Sequence, residues 1–281
     1  MHNIKLVDLH FVHAKYSTDN QESKYITWDR TPITRDDKLA VYTDTSLDHI
    51  FLRNEKGELT WPKVRVGWML ESPAITKPQH EWISKSDNYR NFDFILTNNK
   101  EHLDQSPIFK FSPTAGCWIL PKDQMIYDKT KLLSAIFSDK KYTTGQALRH
   151  QIVTLFKNNI DTFGRGYFPL PNKIYGLKDY AFSMVIENTK QDYYFTEKLI
   201  DCFMTGTIPI YWGCPSIWKF FNPNGMICFN DIHEMKYILN SISLNMYKDK
   251  LESVKENFEL AKKYLIAEDY MFENYLKDYY E

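Results

Sequence analysis

The 281-residue chain has few cysteines and no excess of charge of either sign. Its four cysteines are Cys117, Cys202, Cys214 and Cys228, and they include no C-x-x-C pair. Since most of them stand among apolar residues, buried free thiols are favoured over a zinc site. The 35 Lys and Arg residues balance 36 Asp and Glu residues. Nucleic-acid coating or packaging is therefore disfavoured, and an anionic ligand has to be bound by a few well-placed cations.

Long apolar runs are also missing from the sequence. No run approaches the roughly 20 apolar residues that span a bilayer, and the first 13 residues lack the apolar core of a signal peptide. The sequence contains no N-x-S/T glycosylation site either. We therefore expect a soluble, cytoplasmic protein without a membrane anchor.

Several common catalytic motifs are absent as well. The sequence has no G-x-G-x-x-G, no G-x-x-x-x-G-K-[ST], no G-x-S-x-G and no H-E-x-x-H. These absences remove the usual dinucleotide, P-loop, hydrolase and zincin interpretations. There is also no D-x-D tripeptide, which would hold Mn²⁺ against a nucleotide diphosphate. We expect activity without a metal or another cofactor.

The length fits about two domains. Short apolar runs and a helix starting near Pro78 predict an α/β sheet in the first part. We place the boundary at residue 128, within the connection Ser112–Lys131, which gives domains 1–128 and 129–281. The predicted strands of the first domain are Ile4–Val12, Leu39–Tyr42, His49–Leu52, Val64–Leu70, Phe92–Leu96 and Ile108–Phe111.

The second part shows clearer signals. A T-x-x-Q capping box at Thr143–Gln146 opens a predicted helix, and another helix is expected from about Thr196. Helical patterns resume after Asn230 and continue to the C-terminus, as is typical of solvated packing helices. The predicted strands are Leu132–Phe137, a short strand ending at Phe163, Ala181–Ile186 and Ile208–Trp212.

The strand Ala181–Ile186 is almost continuously apolar, which is typical of a strand buried on both faces of a parallel sheet. It ends at Glu187 and Asn188. Ligands of such sheets bind beyond the carboxyl ends of the strands. Asn188 and the loop Thr189–Phe195 are therefore candidates for ligand contacts.

Lys198 falls in the first turn of the next predicted helix, where the helix dipole disfavours a cation. An anion bound at this helix end would make a cation favourable there, so Lys198 is a candidate diphosphate ligand. The alternative is a solvent-exposed lysine beside Glu197.

Two further residues are candidates with ordinary alternatives. Arg149 lies in the second turn of the capped helix, where an arginine is most often a surface residue but can bind phosphate with two nitrogens. Glu71 follows the predicted strand Val64–Leu70. A carboxylate there can act as a base if burial raises its pKa, or it can merely cap a helix or pair with a lysine.

Three segments together resemble a known family. The sequences ENT at 187–189, YFTEKL at 194–199 and GTIPIYWG at 206–213 are similar to the signature of the α1,3/4-fucosyltransferases of glycosyltransferase family 10. The resemblance continues weakly at Arg149 and at residues 161–164. In the first domain WMLESP at 68–73 looks like the family's E-S-P element.

The resemblance implies a GT-B architecture, with two Rossmann-like α/β domains facing a cleft. It implies that residues 129–281 bind GDP-fucose and that residues 1–128 present the glycan acceptor and a catalytic base. The implied reaction is inverting transfer of fucose to a glycan hydroxyl, with an α1,3-type linkage. The implied roles are Glu71 as base, Arg149 and Lys198 as diphosphate ligands, Glu197 as ribose ligand, and Asn188 and Tyr194 as contacts of the sugar–diphosphate region.

The chain departs from the signature at Ile186, where the family has Phe, and at Phe195, where it has Ile or Val. It also lacks the anchor of Golgi members, which suggests a microbial or viral origin. One alternative is a transferase of the same fold that uses another nucleotide sugar. The other is an inactive glycan- or nucleotide-binding module, against which the retained base and diphosphate ligands argue. The acceptor and the oligomeric state stay open.

Overall fold

The computed structural model describes residues 1–114 and 116–281, which form two compact units. The first unit comprises Met1–Thr114 and Ile266–Glu281, and the second comprises Ala115–Leu265. Each unit contains a parallel β-sheet with helices between its strands. The α/β class predicted from the sequence is confirmed.

In the part of the chain that the structure describes, the first unit has a six-stranded sheet in the order β2-β1-β3-β4-β5-β6. Adjacent strands are parallel. Every side chain of β3 is buried, as expected for a strand in the middle of a parallel sheet. The strands are β1 (His2–Val7), β2 (Ile26–Asp29), β3 (Leu39–Thr43), β4 (Val64–Trp68), β5 (Phe94–Thr97) and β6 (Phe109–Phe111), and two helices, α1 (Lys77–Ser84) and α2 (Lys100–Gln105), lie between them.

The strand predicted at His49–Leu52 is wrong. Asp44–Phe51 forms a 3-10 helix instead, and it buries Leu47 and Ile50. Side chains three residues apart share a face of a 3-10 helix, whereas they point to opposite faces of a strand. Strand β2 was not predicted, because only two of its side chains, Ile26 and Trp28, point inward.

The second unit has a sheet in the order β11-β10-β9-β7-β8, again with parallel neighbours. All seven side chains of β9 are buried, and so are all five of β10. Its strands are β7 (Lys131–Ile136), β8 (Asp161–Phe163), β9 (Tyr180–Ile186), β10 (Ile208–Trp212) and β11 (Ile227–Cys228), and its helices are α3 (Thr144–Phe156), α4 (Glu197–Phe203), α5 (Ile232–Ser241), α6 (Leu244–Asp249) and α7 (Leu251–Ala261).

The two units differ from the predicted domains 1–128 and 129–281 at both ends of the second domain. The last helical segment contains α8 (Ala267–Met271) and the turns after it, and it packs against the first sheet. Met271, Phe272 and Leu276 are buried in that core. Their apolar stripe therefore belongs to the first unit. Residue 115, inside the predicted connection, lies outside the described residues.

Across the described residues, no helix combines the length and the apolar character needed to cross a membrane.

Candidate functional site

The carboxyl end of β9 is in contact with the first turn of α3. The backbone N–H of Gly145 donates to the carbonyl of Asn188 at 3.1 Å. A Cβ added at Gly145 would lie only 1.8 Å from the carbonyl oxygen of Glu187. The close approach of helix and strand therefore requires glycine at this position.

The capping box predicted at the start of α3 is confirmed. The Thr143 hydroxyl accepts from the backbone N–H of Gln146, and the Gln146 side chain accepts from the backbone N–H of Thr143. The pair fixes the beginning of the helix that carries Arg149.

Arg149 is buried, with 4 % of its surface exposed. Its Nε donates to the carbonyl of Ile186 at 3.0 Å, and its Nη2 donates to the same carbonyl and to Oδ1 of Asn188 at 3.2 Å. Burial lowers the pKa of the guanidinium, while Glu187, Glu197 and Tyr194 oppose that shift. These hydrogen-bond acceptors are all neutral oxygens, so an anion nearby would stabilise the buried charge.

Glu187 joins the end of β9 to the start of α4. Its carboxylate is fully buried and accepts hydrogen bonds from the backbone N–H of Thr196 at 2.9 Å and from its hydroxyl at 2.8 Å. The Nζ of Lys198 lies 2.9 Å from the Thr196 hydroxyl and 3.5 Å from Oε2 of Glu187. Thr196 is also the N-cap of α4. Glu187, directly after β9, thus fixes the position of Lys198.

Glu197 lies between two lysines. Its Oε1 is 3.3 Å from Nζ of Lys198 and 3.7 Å from Nζ of Lys173. Burial alone would raise the pKa of Glu197, but Lys198 and Lys173 lower it to about 2. Lys173 also donates to Asp201 at 2.8 Å, and burial raises the pKa of that aspartate. Glu197 is therefore held as an anion, available to accept hydrogen bonds from hydroxyl groups.

Tyr194 is buried, and it is one of the groups that oppose the lowering of the Arg149 pKa. The residue before it, Tyr193, has a φ of 66°, in the left-handed region. Its backbone N–H donates to Cys214 Sγ at 3.1 Å and to Ser216 Oγ at 3.2 Å. These hydrogen bonds hold a backbone conformation that L-residues rarely adopt, in the loop that carries Tyr194.

Five of the six predicted site residues thus belong to the second unit, at or beyond the carboxyl end of β9. The structure brings Arg149 into contact with Asn188 and Lys198 into contact with Glu197. Glu71 belongs to the first unit. It follows β4 in the loop after Trp68 and is partly exposed.

The backbone of Glu71 is bound by buried side chains on both sides. Its N–H donates to Oδ1 of Asp44 at 3.3 Å, and its carbonyl is 3.0 Å from Nε2 of His80. Burial raises the pKa of Asp44 to about 8, and Glu71 and Asp8 contribute to the increase. A carboxyl next to Glu71 is therefore largely neutral at pH 7.

No group of three or more His, Cys, Asp and Glu side chains suited to a metal ion occurs among residues 1–114 and 116–281. The acidic groups near β9 are instead matched by Lys173, Lys198 and Arg149.

Two parallel-sheet units, with charged side chains gathered beyond the carboxyl end of a buried strand, define an α/β protein whose candidate ligand site lies at that strand end. A sequence model described as "Glycosyltransferase family 10 (fucosyltransferase) C-term" matches residues 126–277, more than half of the chain. The chain belongs to this family, as its sequence motifs suggested.

Similar proteins agree with this assignment. An "Alpha-(1,3)-fucosyltransferase FucT" from Helicobacter pylori is 39% identical over 80 residues, which are 28% of this chain and 16% of that protein. The chain therefore matches less than a fifth of this relative's length.

Solved structures extend the likeness to the first unit. A "Crystal Structure of alpha1,3-Fucosyltransferase" matches with a TM-score of 0.54 at 18% identity, covering 94% of this chain and 89% of that one. A second, titled "with GDP-fucose", matches with a TM-score of 0.50 at 19% identity, covering 94% and 90%. At this identity the likeness shows the fold, an α/β fold of GT-B type.

Sequence reasoning missed the parts played by Lys173, Asp44 and His80, and it treated Glu187 only as the end of a strand. Glu187 stands beside Asn188 inside the family signature, so the signature itself was a usable signal. Lys173, Asp44 and His80 lie in segments without a motif, and only the folded chain shows what they contact.

Proposed function

We propose that the protein transfers fucose from GDP-fucose to a hydroxyl group of a glycan, with inversion at the anomeric carbon and an α1,3-type linkage. The observation that carries this proposal is the charged cluster at the end of β9 in a chain of glycosyltransferase family 10. The solved structure titled with GDP-fucose, whose fold this chain shares, supports the choice of donor.

In this proposal the second unit binds the donor. Arg149 and Lys198 neutralise the diphosphate, which gains a further negative charge as the sugar–oxygen bond breaks and therefore leaves more easily when fixed cations face it. Glu197, held as an anion by its two lysines, accepts hydrogen bonds from the ribose hydroxyls. Asn188 and Tyr194 contact the sugar–diphosphate region. The contact between Arg149 and Asn188 supports a joint role.

Glu71 is the proposed base, which removes the proton from the acceptor hydroxyl as that oxygen attacks the anomeric carbon. Its position after the carboxyl end of β4 supports the role, because α/β enzymes place reactive groups there. Since Asp44 is largely neutral at pH 7, it adds little repulsion against an ionised Glu71.

A cavity in the first unit is a candidate acceptor site. It has a volume of about 390 Å³, within the range of ligand pockets, and Arg30, His49 and Asp8 are among its lining residues. Asp8 accepts a hydrogen bond from the Thr43 hydroxyl at 2.6 Å, and Thr43 precedes Asp44 in the chain. The cavity is therefore connected to the segment that holds Glu71.

The proposed reaction needs no metal, since cationic side chains take over the stabilisation of the leaving diphosphate. Transfer should therefore continue at an undiminished rate in EDTA. Loss of transfer in EDTA that Mn²⁺ alone restores would contradict this part of the proposal.

The test is a donor screen with a panel of oligosaccharide acceptors. GDP-fucose, GDP-mannose, UDP-galactose and UDP-N-acetylglucosamine are each supplied, and nucleotide release and product are measured. We expect product from GDP-fucose, with the anomeric configuration in the NMR spectrum opposite to that of the donor. Product from a UDP-sugar alone would identify a transferase with another donor. GDP binding without turnover on any acceptor would favour the inactive binding module.

A further inference from the structure

The loop that carries Glu71 leaves the first sheet directly before that residue. The last sheet-type hydrogen bond of the segment is donated by the N–H of Met69 to the carbonyl of Leu96, at 2.8 Å. The next two backbone N–H groups, of Leu70 and Glu71, donate to the carboxyl group of Asp44 at 3.1 to 3.3 Å. Asp44 is completely buried. The Asp44 carboxyl group thus accepts the hydrogen bonds of the first two backbone N–H groups beyond the sheet.

The carbonyl side of Glu71 is held by a chain of buried side chains. His80 Nε2 is 3.0 Å from this carbonyl, which can only accept, so Nε2 carries the proton. Nδ1 of neutral His80 is then an acceptor for His102 Nε2 at 2.9 Å. Nδ1 of His102 lies 3.3 Å from Oγ of Ser84, whose hydroxyl donates to Oε1 of Gln105 at 3.3 Å. The amide nitrogen of Asn99 also reaches His80 Nδ1, at 3.3 Å.

The hydrogen bond between the two rings requires at least one of the facing nitrogens, His80 Nδ1 or His102 Nε2, to lack a proton. Protons on both would place two N–H groups against each other. Burial lowers the pKa of His80 to about 4 and also lowers the pKa of His102. The two rings stack with centroids 5.1 Å apart and planes 7° from parallel. The pair is therefore an ordered, neutral support at physiological pH.

We propose that Asp44 and the His80–His102 pair are positioning residues. Asp44 binds the backbone N–H of Glu71 and His80 binds its carbonyl, and this clamp fixes the Glu71 carboxylate for the reaction. The proposal rests on the proposed role of Glu71 as base. Two buried side chains, Asp44 and His80, bind the backbone of Glu71 where the regular sheet has ended, and His102 binds His80 from behind. A displacement of about 1 Å in a reacting group can cost on the order of a hundredfold in rate.

The experiment compares Asp44→Ala, Asp44→Asn and His80→Phe with a matched control. Glu268 is another fully buried carboxyl group of the first unit, and it accepts from the backbone N–H of Ser17 at 2.7 Å and from Trp28 Nε1 at 3.2 Å. Burial raises its pKa as it does that of Asp44. Glu268→Ala therefore reproduces the loss of a buried carboxyl group without touching the Glu71 loop.

The readouts are amide hydrogen exchange at Leu70 and Glu71, and kcat and KM for GDP-fucose. We expect Asp44→Ala to speed exchange at these two amides about tenfold or more and to lower kcat by about ten- to a hundredfold, with KM changed less than about twofold. Asp44→Asn keeps an acceptor oxygen and should restore most of both values. His80→Phe should lower kcat in the same way, whereas Glu268→Ala should leave exchange at Leu70 and Glu71 unchanged.

Unchanged exchange at Leu70 and Glu71 in Asp44→Ala would overturn the clamp. So would an equal loss of kcat in Glu268→Ala and Asp44→Ala at equal Tm, since the effect would then be general destabilisation. If the wild-type protein transfers nothing, the proposed function fails, and the exchange data still decide whether the clamp exists.

Discussion

The carboxylate of Glu187 binds Thr196 twice, accepting from its backbone N–H at 2.9 Å and from its hydroxyl at 2.8 Å. The first residue after β9 is thereby bound to the N-cap of α4. Lys198 contacts both partners through Nζ. A change at Thr196 should consequently affect both the stability of the second unit and the position of a proposed diphosphate ligand.

Thr196→Val keeps the shape of the side chain but removes its hydroxyl. Loss of an N-cap oxygen costs about 0.5–2 kcal/mol, and the buried Glu187 carboxylate also loses a donor. We expect the free energy of unfolding to fall by about 1–3 kcal/mol in urea titrations. Thr196→Ser retains the hydroxyl and should stay close to wild type. Equal stability of the Val and Ser variants would contradict the assigned hydrogen bonds.

Arg149 and Lys198 should each contribute to GDP binding. Removing a charged hydrogen-bond partner costs about 1.5–3 kcal/mol, or roughly ten- to a hundredfold in affinity. We expect losses of this size in calorimetry for Arg149→Ala and Lys198→Ala. The control is Lys157→Ala, which removes an exposed lysine at the C-cap of α3. Wild-type GDP affinity in both site variants would refute the assignment of the donor site.

Strands β9 and β10 of the second unit were predictable because they are buried on both faces. Tyr180–Ile186 and Ile208–Trp212 are continuous buried runs, and a run of this kind has no polar face that could blur its ends. The 3-10 helix Asp44–Phe51 was not predictable in this way, because its two buried apolar residues, Leu47 and Ile50, are too few to show a period. The helical pattern after Asn230 predicted packing helices, but it did not show that residues 267–276 pack against the first sheet.

The same limit applies to the site. A signature of adjacent residues led to Asn188, Glu197 and Lys198. The contacts of Asp44 with Leu70 and Glu71 span 26 and 27 residues and depend on where two loops meet. The local sequence pattern does not show which loops contact each other. The contacts that hold Glu71 are therefore visible only in the folded structure.

The His80–His102 pair should make the first unit sensitive to acid. The pKa of His80 is about 4 in the folded protein and about 6.5 as an ordinary value. Between these pH values the unfolded chain binds more protons, so stability rises with pH in this window and is lost as pH falls. At about 1.4 kcal/mol for each unit of pKa, the full effect is on the order of 3 kcal/mol.

Urea titrations at pH 7 and pH 5 test this effect. We expect wild type to lose about 2 kcal/mol more than His80→Gln between the two pH values, because glutamine does not titrate. His13→Gln, which removes an exposed histidine of the same unit, should behave like wild type. The same loss in wild type and His80→Gln would mean that acid sensitivity arises elsewhere.

Glu71→Gln tests the proposed base directly. Glutamine keeps the size of the side chain and its ability to form hydrogen bonds, but it cannot take the proton of the acceptor hydroxyl. A general base contributes about 10²- to 10⁴-fold to a rate. We therefore expect kcat to fall by that factor, while GDP affinity and Tm stay near wild type.

GDP affinity and kcat, measured on the same variant, distinguish the possible roles of Glu71. Parallel losses of GDP affinity and kcat would assign Glu71 to donor binding or to folding. Near-normal turnover would place the base elsewhere in the first unit.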